Sequence, residues 1–365
     1  MMPSAVFGGV IVNDSFESFA DQTAFETTWV PIGTTAPTGG VFKTDGAGAG
    51  ASTKWISVPT TATNGQYRNR TSFAETGNPS STNAIAFSFD YFDSNAGTSP
   101  YRTFANIQDT TAPSGGGQLI SIGLNNNLTS SGDGGNYFMA RILSHDGGSG
   151  AGGFFKLNGM LPDGVTPIDS SNPAPLRSTG WHNLKLVITP TQYRFYVDKV
   201  LSAVETNDVT LRSYDNITIG SALSSTANGG FDNVKLITDQ LAVTATGASP
   251  ADASASAGSV SGSLVNLLLD WNAQTNDKWQ LYVWKDGDPV PTTPTADNLT
   301  TSDYALTGLD PNTLYNWRVD SLNQFDDLAT GNVWTFTTTS APEPGTLSLA
   351  GTSAAGLLLR RRRRG

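Results

Sequence analysis

Acid–base chemistry needs paired ionisable groups, and this chain is short of them. It has five glutamates, Glu17, Glu26, Glu75, Glu205 and Glu343, and no two are spaced to share one strand face. A retaining glycoside hydrolase needs two carboxyl groups ~5 Å apart, and no glutamate pair supplies them. Asp90 and Asp93 are near neighbours, but residues three apart on a strand point to opposite faces. His145 and His182 are the only imidazoles. His145 lies in a glycine-rich run and reads as a surface residue. His182, beside Trp181, reads as a structural strand residue, and neither recruits a Ser/His/Asp arrangement. The chain has no cysteine, so thiolate nucleophiles, thiolate metal sites and a disulfide framework are all excluded. The expectation is a protein that is not an enzyme.

Two binding constellations remain. Asp14 and Asp232 fall in the first and last strand-like segments of the N-terminal region, where they can meet at one sandwich edge. Together with carbonyl oxygens they would suit a hard cation, a structural Ca2+. The alternative is that both cap strands and face water. Tyr137, Arg141 and Tyr196 each sit on the less apolar face of a strand-like segment, the pairing of rings and planar donors that a sugar rewards. They read equally as ordinary surface residues. Polar loops at 125–136, 144–153 and 158–180 either rim such a site or are inert.

The elements that must position these residues are strands. Charged residues make up only 14% of the chain, against roughly a quarter in an average globular domain, and glycine, serine and threonine fill the difference. Short β-branched and aromatic runs recur without long helical periodicity, at 84–92, 118–123, 137–143, 153–157, 181–189, 192–197, 217–220 and 230–237. Leu184, Leu186 and Ile188 alternate with Lys185, Val187 and Thr189, as in a half-buried strand. The next strand returns across Thr189-Pro190-Thr191, with Tyr193, Phe195 and Val197 on one face. Residues 241–262 are rich in Ala, Ser and Gly and read as a linker or a loose first strand. Further strand-like runs follow at 264–271, 279–284, 303–307, 314–322 and 332–338, the spacing of a small β-sandwich.

The phrase from Trp181 to Ile188, followed by Tyr193 to Asp198, resembles the paired late strands of concanavalin A-like jelly rolls, a superfamily that includes laminin G-like modules, lectins, glucanases and alginate lyases. Phe231-Asp232-Asn233-Val234-Lys235-Leu236 resembles their last strand, which returns beside the first, here 11–16. The glucanases' Glu-x-Asp-x-(x)-Glu strand and the lyases' Arg-x-Glu-x-Arg and Gln-x-His patterns are missing. The run Leu306, Leu309, Pro311, Thr313, Tyr315, with Trp317 and the closing Trp334 to Thr338, resembles fibronectin type III-like modules. That resemblance places a tyrosine corner at Tyr315 and implies a spacer. Trp279 and Trp284 read as core residues before ligand contacts.

The chain ends in Pro342-Glu343-Pro344-Gly345, fourteen uncharged residues, and Arg360, Arg361, Arg362, Arg363 and Arg364. As a helix the apolar stretch would span ~21 Å, short of the ~30 Å hydrocarbon core, and the arginines would hold its end on the cytoplasmic side. This order resembles the PEP-CTERM sorting signal, which implies recognition by an exosortase-type membrane protease and transient membrane insertion. Net charge is −10 with these five arginines, so the rest of the chain carries −15. Such a body repels phosphate backbones, and nucleic acid is not an expected partner. Residues 1–12 lack a basic start and read as the remnant of an export signal.

The sequence therefore predicts an all-β chain. Residues 13–240 form a concanavalin A-like or laminin G-like jelly roll, 241–340 a fibronectin type III/Ig-like sandwich, and 341–365 a sorting tail with a short hydrophobic helix. The expected work is non-enzymatic binding of glycan or matrix at the cell surface. A passive matrix component and a divergent polysaccharide hydrolase or lyase are the rivals.

Overall fold

The computed structural model describes residues 9–32, 39–58, 67–80, 82–94, 96, 102–110, 118–125, 135–143, 153–207, 213–221, 229–272, 278–324 and 327–341. His145, Pro342, Glu343, Pro344, the apolar segment and the five terminal arginines lie outside the described residues. The chain divides into two compact units, Met1–Leu241 and Ala242–Gly365. Both are built from strands, with one helix among the described residues.

The first unit is a sandwich of two sheets. The larger runs β13 (Val200–Thr206), β12 (Gln192–Val197), β11 (Gly180–Ile188), β6 (Ala84–Asp93), β15 (Gly229–Asp239), β4 (Trp55–Val58) and β3 (Val41–Lys43). β1 (Val10–Asp14) also pairs with β15, so the last strand of the unit does lie beside the first. The other sheet runs β10 (Phe155–Lys156), β9 (Met139–Leu143), β8 (Leu119–Leu124), β7 (Thr103–Gln108), β14 (Asn216–Ser221), β5 (Arg68–Ser72) and β2 (Val30–Pro31). Alternation decides which side chains meet between them. Phe87, Phe89 and Tyr91 of β6 and Leu184, Leu186 and Ile188 of β11 share one buried core with Ile107, Ile120, Ile122, Ile217 and Ile219 of the smaller sheet.

The helix α1 (Gln22–Thr28) starts at Asp21, whose carboxylate accepts from the Ala24 amide at 2.9 Å. Its Phe25 is fully buried against Phe16 and Trp29. Seven residues are too few for a helical period to show in the sequence, and aromatic packing rather than propensity holds this turn.

In the second unit, β19 (Leu264–Asn272) pairs with β16 (Thr246–Ser249), β18 (Ser259–Ser261) and β22 (Asp303–Leu309). The facing sheet is ordered β17 (Ser254–Ala257), β25 (Val333–Thr338), β23 (Leu314–Leu322), β20 (Lys278–Lys285) and β21 (Ala296–Leu299), with β24 (Leu328–Ala329) on β23. The segment read as a linker or a loose first strand thus contributes three strands. Backbone pairing needs no large side chain, and the small Ala245 and Ala257 are buried in the core. Trp271, Trp279, Trp317 and Trp334 fill that core, and the Tyr315 hydroxyl accepts from the Asp310 amide at 3.1 Å.

Candidate functional site

Each sheet of the first unit turns one face inward and one outward, and the two outward faces carry different chemistry. On the eight-stranded sheet, Trp55, Phe92 and Trp181 form an aromatic cluster with ring centroids 5.3–6.1 Å apart. Both indole N–H groups are spent on the loop 44–54: Trp55 donates to Asp45 at 2.8 Å and Trp181 to the Ala47 carbonyl at 3.0 Å. The loop also covers Asp232, which is fully buried and accepts from the amides of Ala49 (2.9 Å) and Asn233 (2.7 Å). Its cross-strand partner is Asp90, whose two oxygens accept from the Asn183 and Asn233 side chains, each at 2.8 Å. Burial, with the Asp90 carboxylate adding to it, pushes the Asp232 carboxyl up to about 6.

The structure corrects the expectation that Asp14 and Asp232 meet at one edge. Asp14 pairs with the core residue Val234, whereas Asp232 pairs with the outward Asp90, so the two aspartates lie on opposite faces of the sheet. Asp14 accepts from the Trp29 indole and the Phe16 amide, each at 2.8 Å. Neither aspartate is simply a solvent-facing cap, and the described residues hold no group of three His, Cys, Asp or Glu side chains that fits a metal ion. Asp14 and Asp232 therefore cannot share one Ca2+.

His182 is buried between two acceptors. Nδ1 lies 2.7 Å from an Asp198 oxygen, and Nε2 lies 2.8 Å from the Ser178 carbonyl and 3.1 Å from its hydroxyl. Nothing in the spacing of Ser178, His182 and Asp198 signals that they meet. A ring nitrogen that donates to the carbonyl has no lone pair left to take the hydroxyl proton, so this trio clamps the start of β11 and prepares no nucleophile. A second clamp lies nearby. Arg177 grips Asp93 with Nε at 2.7 Å and a terminal nitrogen at 3.1 Å, and donates to the Gly135 carbonyl at 2.6 Å. Both side chains are buried.

The outward face of the seven-stranded sheet is polar and basic. Its central row, read across β5, β14, β7, β8 and β9, is Arg70, Thr218, Asn106, Ser121 and Arg141. One row along are Arg68, Gly220, Phe104, Gly123, Met139 and Lys156. On the other side lie Ser72, Asn216, Gln108 and Leu119. The two glycines have φ of 131° and 150°, and a Cβ there would come within 1.9 Å of the Tyr67 carbonyl and 2.3 Å of the Thr103 carbonyl. They flank the buried Phe104 in its row, with the Phe154 ring beside it at 6.0 Å. Asn106 and Asn216 are 5% and 2% exposed, and the Oδ1 atom of each has no hydrogen-bond partner.

The three residues singled out as sugar contacts are therefore separated. Arg141 is on this face, its guanidinium 5.3 Å from the Phe154 ring centroid. Tyr137 is half-buried, two residues before β9. Tyr196 is on the outward face of the other sheet, under the Lys185 ammonium at 4.5 Å. Two sheets packed through their inner faces point their outer faces apart, so Arg141 and Tyr196 line no common site.

A search of curated proteins gave no match. Among solved structures the chain is similar to a sialidase (11% identity, 65% of this chain and 19% of that one, TM-score 0.35). It is also similar to the Emp46p carbohydrate recognition domain in its potassium-bound form (11%, 64% and 97%, 0.35). A third is the kappa-carrageenase from Pseudoalteromonas carrageenovora in complex with an oligotetrasaccharide of kappa-carrageenan (12%, 65% and 98%, 0.34). The chain spans about a fifth of the sialidase's length. Residues 340–364 match the PEP-CTERM protein-sorting motif, which implies processing by an exosortase. That motif marks an exported protein, sorted through the membrane to the cell surface.

Proposed function

We propose that this exported protein binds glycan at the cell surface without cleaving it, through the outward face of the seven-stranded sheet. The carrying observation is the polar row Arg70, Thr218, Asn106, Ser121 and Arg141 that crosses five strands of that face. Guanidinium, amide and hydroxyl side chains are the hydrogen-bonding groups that sugar hydroxyls pair with. The first unit then acts as a lectin-like jelly roll. The second is a fibronectin-like spacer, a reading supported by its β17-β25-β23-β20-β21 order and by the Tyr315–Asp310 bond at the place of a tyrosine corner.

Binding without catalysis is supported by where the ionisable groups are. Asp232, the described carboxylate raised to about 6, lies beneath the loop 44–54 on the other sheet, and His182 faces acceptors with both nitrogens. The full chain should retain polysaccharides from a panel at micromolar to millimolar strength and release no products. Shortened or unsaturated sugars whose appearance is lost on replacing one carboxylate would establish a hydrolase or lyase instead. A chain that retains no polymer would be a passive matrix component.

A further inference from the structure

We propose that the loop 44–54 is a pH-operated lid on the outward face of the eight-stranded sheet. Asp232 holds it shut while its carboxyl carries a proton. When that proton leaves, the lid opens and frees the indole N–H groups of Trp55 and Trp181. The lid and the glycan face belong to different sheets, and neither depends on the other.

Polar bonds, with little apolar burial, fasten the loop. Ala49 is the one buried residue in 44–54. The ties to the sheet are the Trp55 indole on Asp45, the Trp181 indole on the Ala47 carbonyl, and the Ala49 amide and Ser52 side chain on Asp232. Segments held in this way open locally at low cost. The far end is anchored, because Glu17 accepts from the Thr53 and Lys54 amides at 2.5 and 2.8 Å. Gly46 and Gly50, with φ of 76° and 60° and open space where a Cβ would stand, supply the turning points.

Asp232 is where the loop backbone presses on the sheet: a Cβ on Gly48 would come within 2.8 Å of its Oδ2 atom. The charged groups on the surrounding elements are Asp90 on β6, Asp45 and Lys54 on the loop, Lys43 on β3, Lys235 on β15, and Glu17. β11 presents the neutral Asn183, and Asp14 lies on the opposite face. The Lys54 ammonium donates to the Glu17 and Phe19 carbonyls at 2.8 and 2.7 Å, and among the described residues no cation is bonded to Asp232. Its cross-strand neighbour is another carboxylate. A shut lid therefore buries an ionised Asp232 at a cost that either a proton or an inflow of water removes. Burial first, and then the Asp90 charge, raise that carboxyl from an ordinary 3.8 to about 6. By linkage, the lid's opening constant climbs about fiftyfold between pH 4 and pH 7.

The test is hydrogen exchange of the full chain by NMR, with protection taken relative to each group's free exchange rate. Protection of the Ala49 amide and of the Trp55 and Trp181 indole N–H groups should fall together, about fiftyfold from pH 4 to pH 7. It should stay below that of the Leu186 and Phe195 amides in the middle of the sheet at every pH. D232N should make the lid's protection independent of pH. G48A, whose methyl group would collide with Asp232, should leave the lid poorly protected already at pH 4. Protection that does not change with pH in the parent chain would overturn the proposal. So would a pH dependence that survives in D232N, since another group would then operate the loop. A fall at Ala49 alone, with both indoles unchanged, would mean one broken bond and no lid. Lid groups protected as strongly as Leu186 and Phe195 would mean that the loop opens only when the whole unit unfolds. A G48A chain as protected as the parent at pH 4 would remove the close contact on which the latch depends.

Discussion

Replacing Asp232 with asparagine removes a buried charge while keeping the side chain's shape. The carboxyl titrates at about 6 in the folded protein against an ordinary 3.8, a rise of about two units, or about 3 kcal/mol at 1.4 kcal/mol per unit. The sign follows from the proton count. Between pH 4 and pH 6 the folded chain holds a proton that the unfolded chain has lost, so folding is favoured at the acid end. Stability then falls as pH rises through that window. Asparagine does not titrate, but its single acceptor oxygen can serve only one of the Ala49 and Asn233 amides that Asp232 serves, a loss of about 1 kcal/mol. Relative to the parent, D232N should be about 1 kcal/mol less stable at pH 4 and about 2 kcal/mol more stable at pH 7. Scanning calorimetry of both chains across pH 4 to 7.5, following the first-unit transition, measures the difference. Parallel pH profiles would show that Asp232 does not carry a raised pKa under the loop 44–54.

Two more perturbations test the clamps. R177M should cost about 3–5 kcal/mol by leaving the Asp93 carboxylate buried without its cation, and the double variant with D93L should recover much of that loss in the same calorimetric transition. A double variant no better than R177M would mean the pair is not coupled. Tyr315→Phe should lower the second unit's urea midpoint by an amount worth about 1–3 kcal/mol, because the Asp310 amide loses its acceptor. An unchanged midpoint would remove the tyrosine corner.

Strands with strong alternation were legible before any coordinates. The 314–322 run is β23, and the hairpin across Thr189-Pro190-Thr191 joins β11 to β12. The elements that hide are those whose inward residues are polar or small. β5 reads Arg-Asn-Arg-Thr-Ser, with no apolar residue at all. It is nonetheless a sandwich strand, because buried Asn69 accepts from the Gly40 amide at 2.7 Å and donates to the Trp29 carbonyl at 2.8 Å. Hydrophobic periodicity cannot register such a strand, so Arg68 and Arg70 were missed with it, although an Arg-x-Arg alternation is a visible sign of two cations on one face. Arg141 could be placed on a strand because that strand is apolar. The burial of Asp232 was hidden for a different reason: a glycine- and alanine-rich loop looks inert in sequence, yet its Ala49 amide holds the carboxylate while its Asp45 side chain and Ala47 carbonyl hold the tryptophans.

The pairing of β1 with β15 also governs when the first unit can close. The Gly9 amide reaches the Thr238 hydroxyl across 229 residues, and β15 is the neighbour of both β6 and β4 in the middle of the larger sheet. While the chain is being made, that sheet lacks its central strand until residue 239 has emerged. Contacts of such sequence separation form late and slowly. A chain bound for export therefore stays open and threadable for most of its synthesis, and the unit completes itself only after nearly all of it is available.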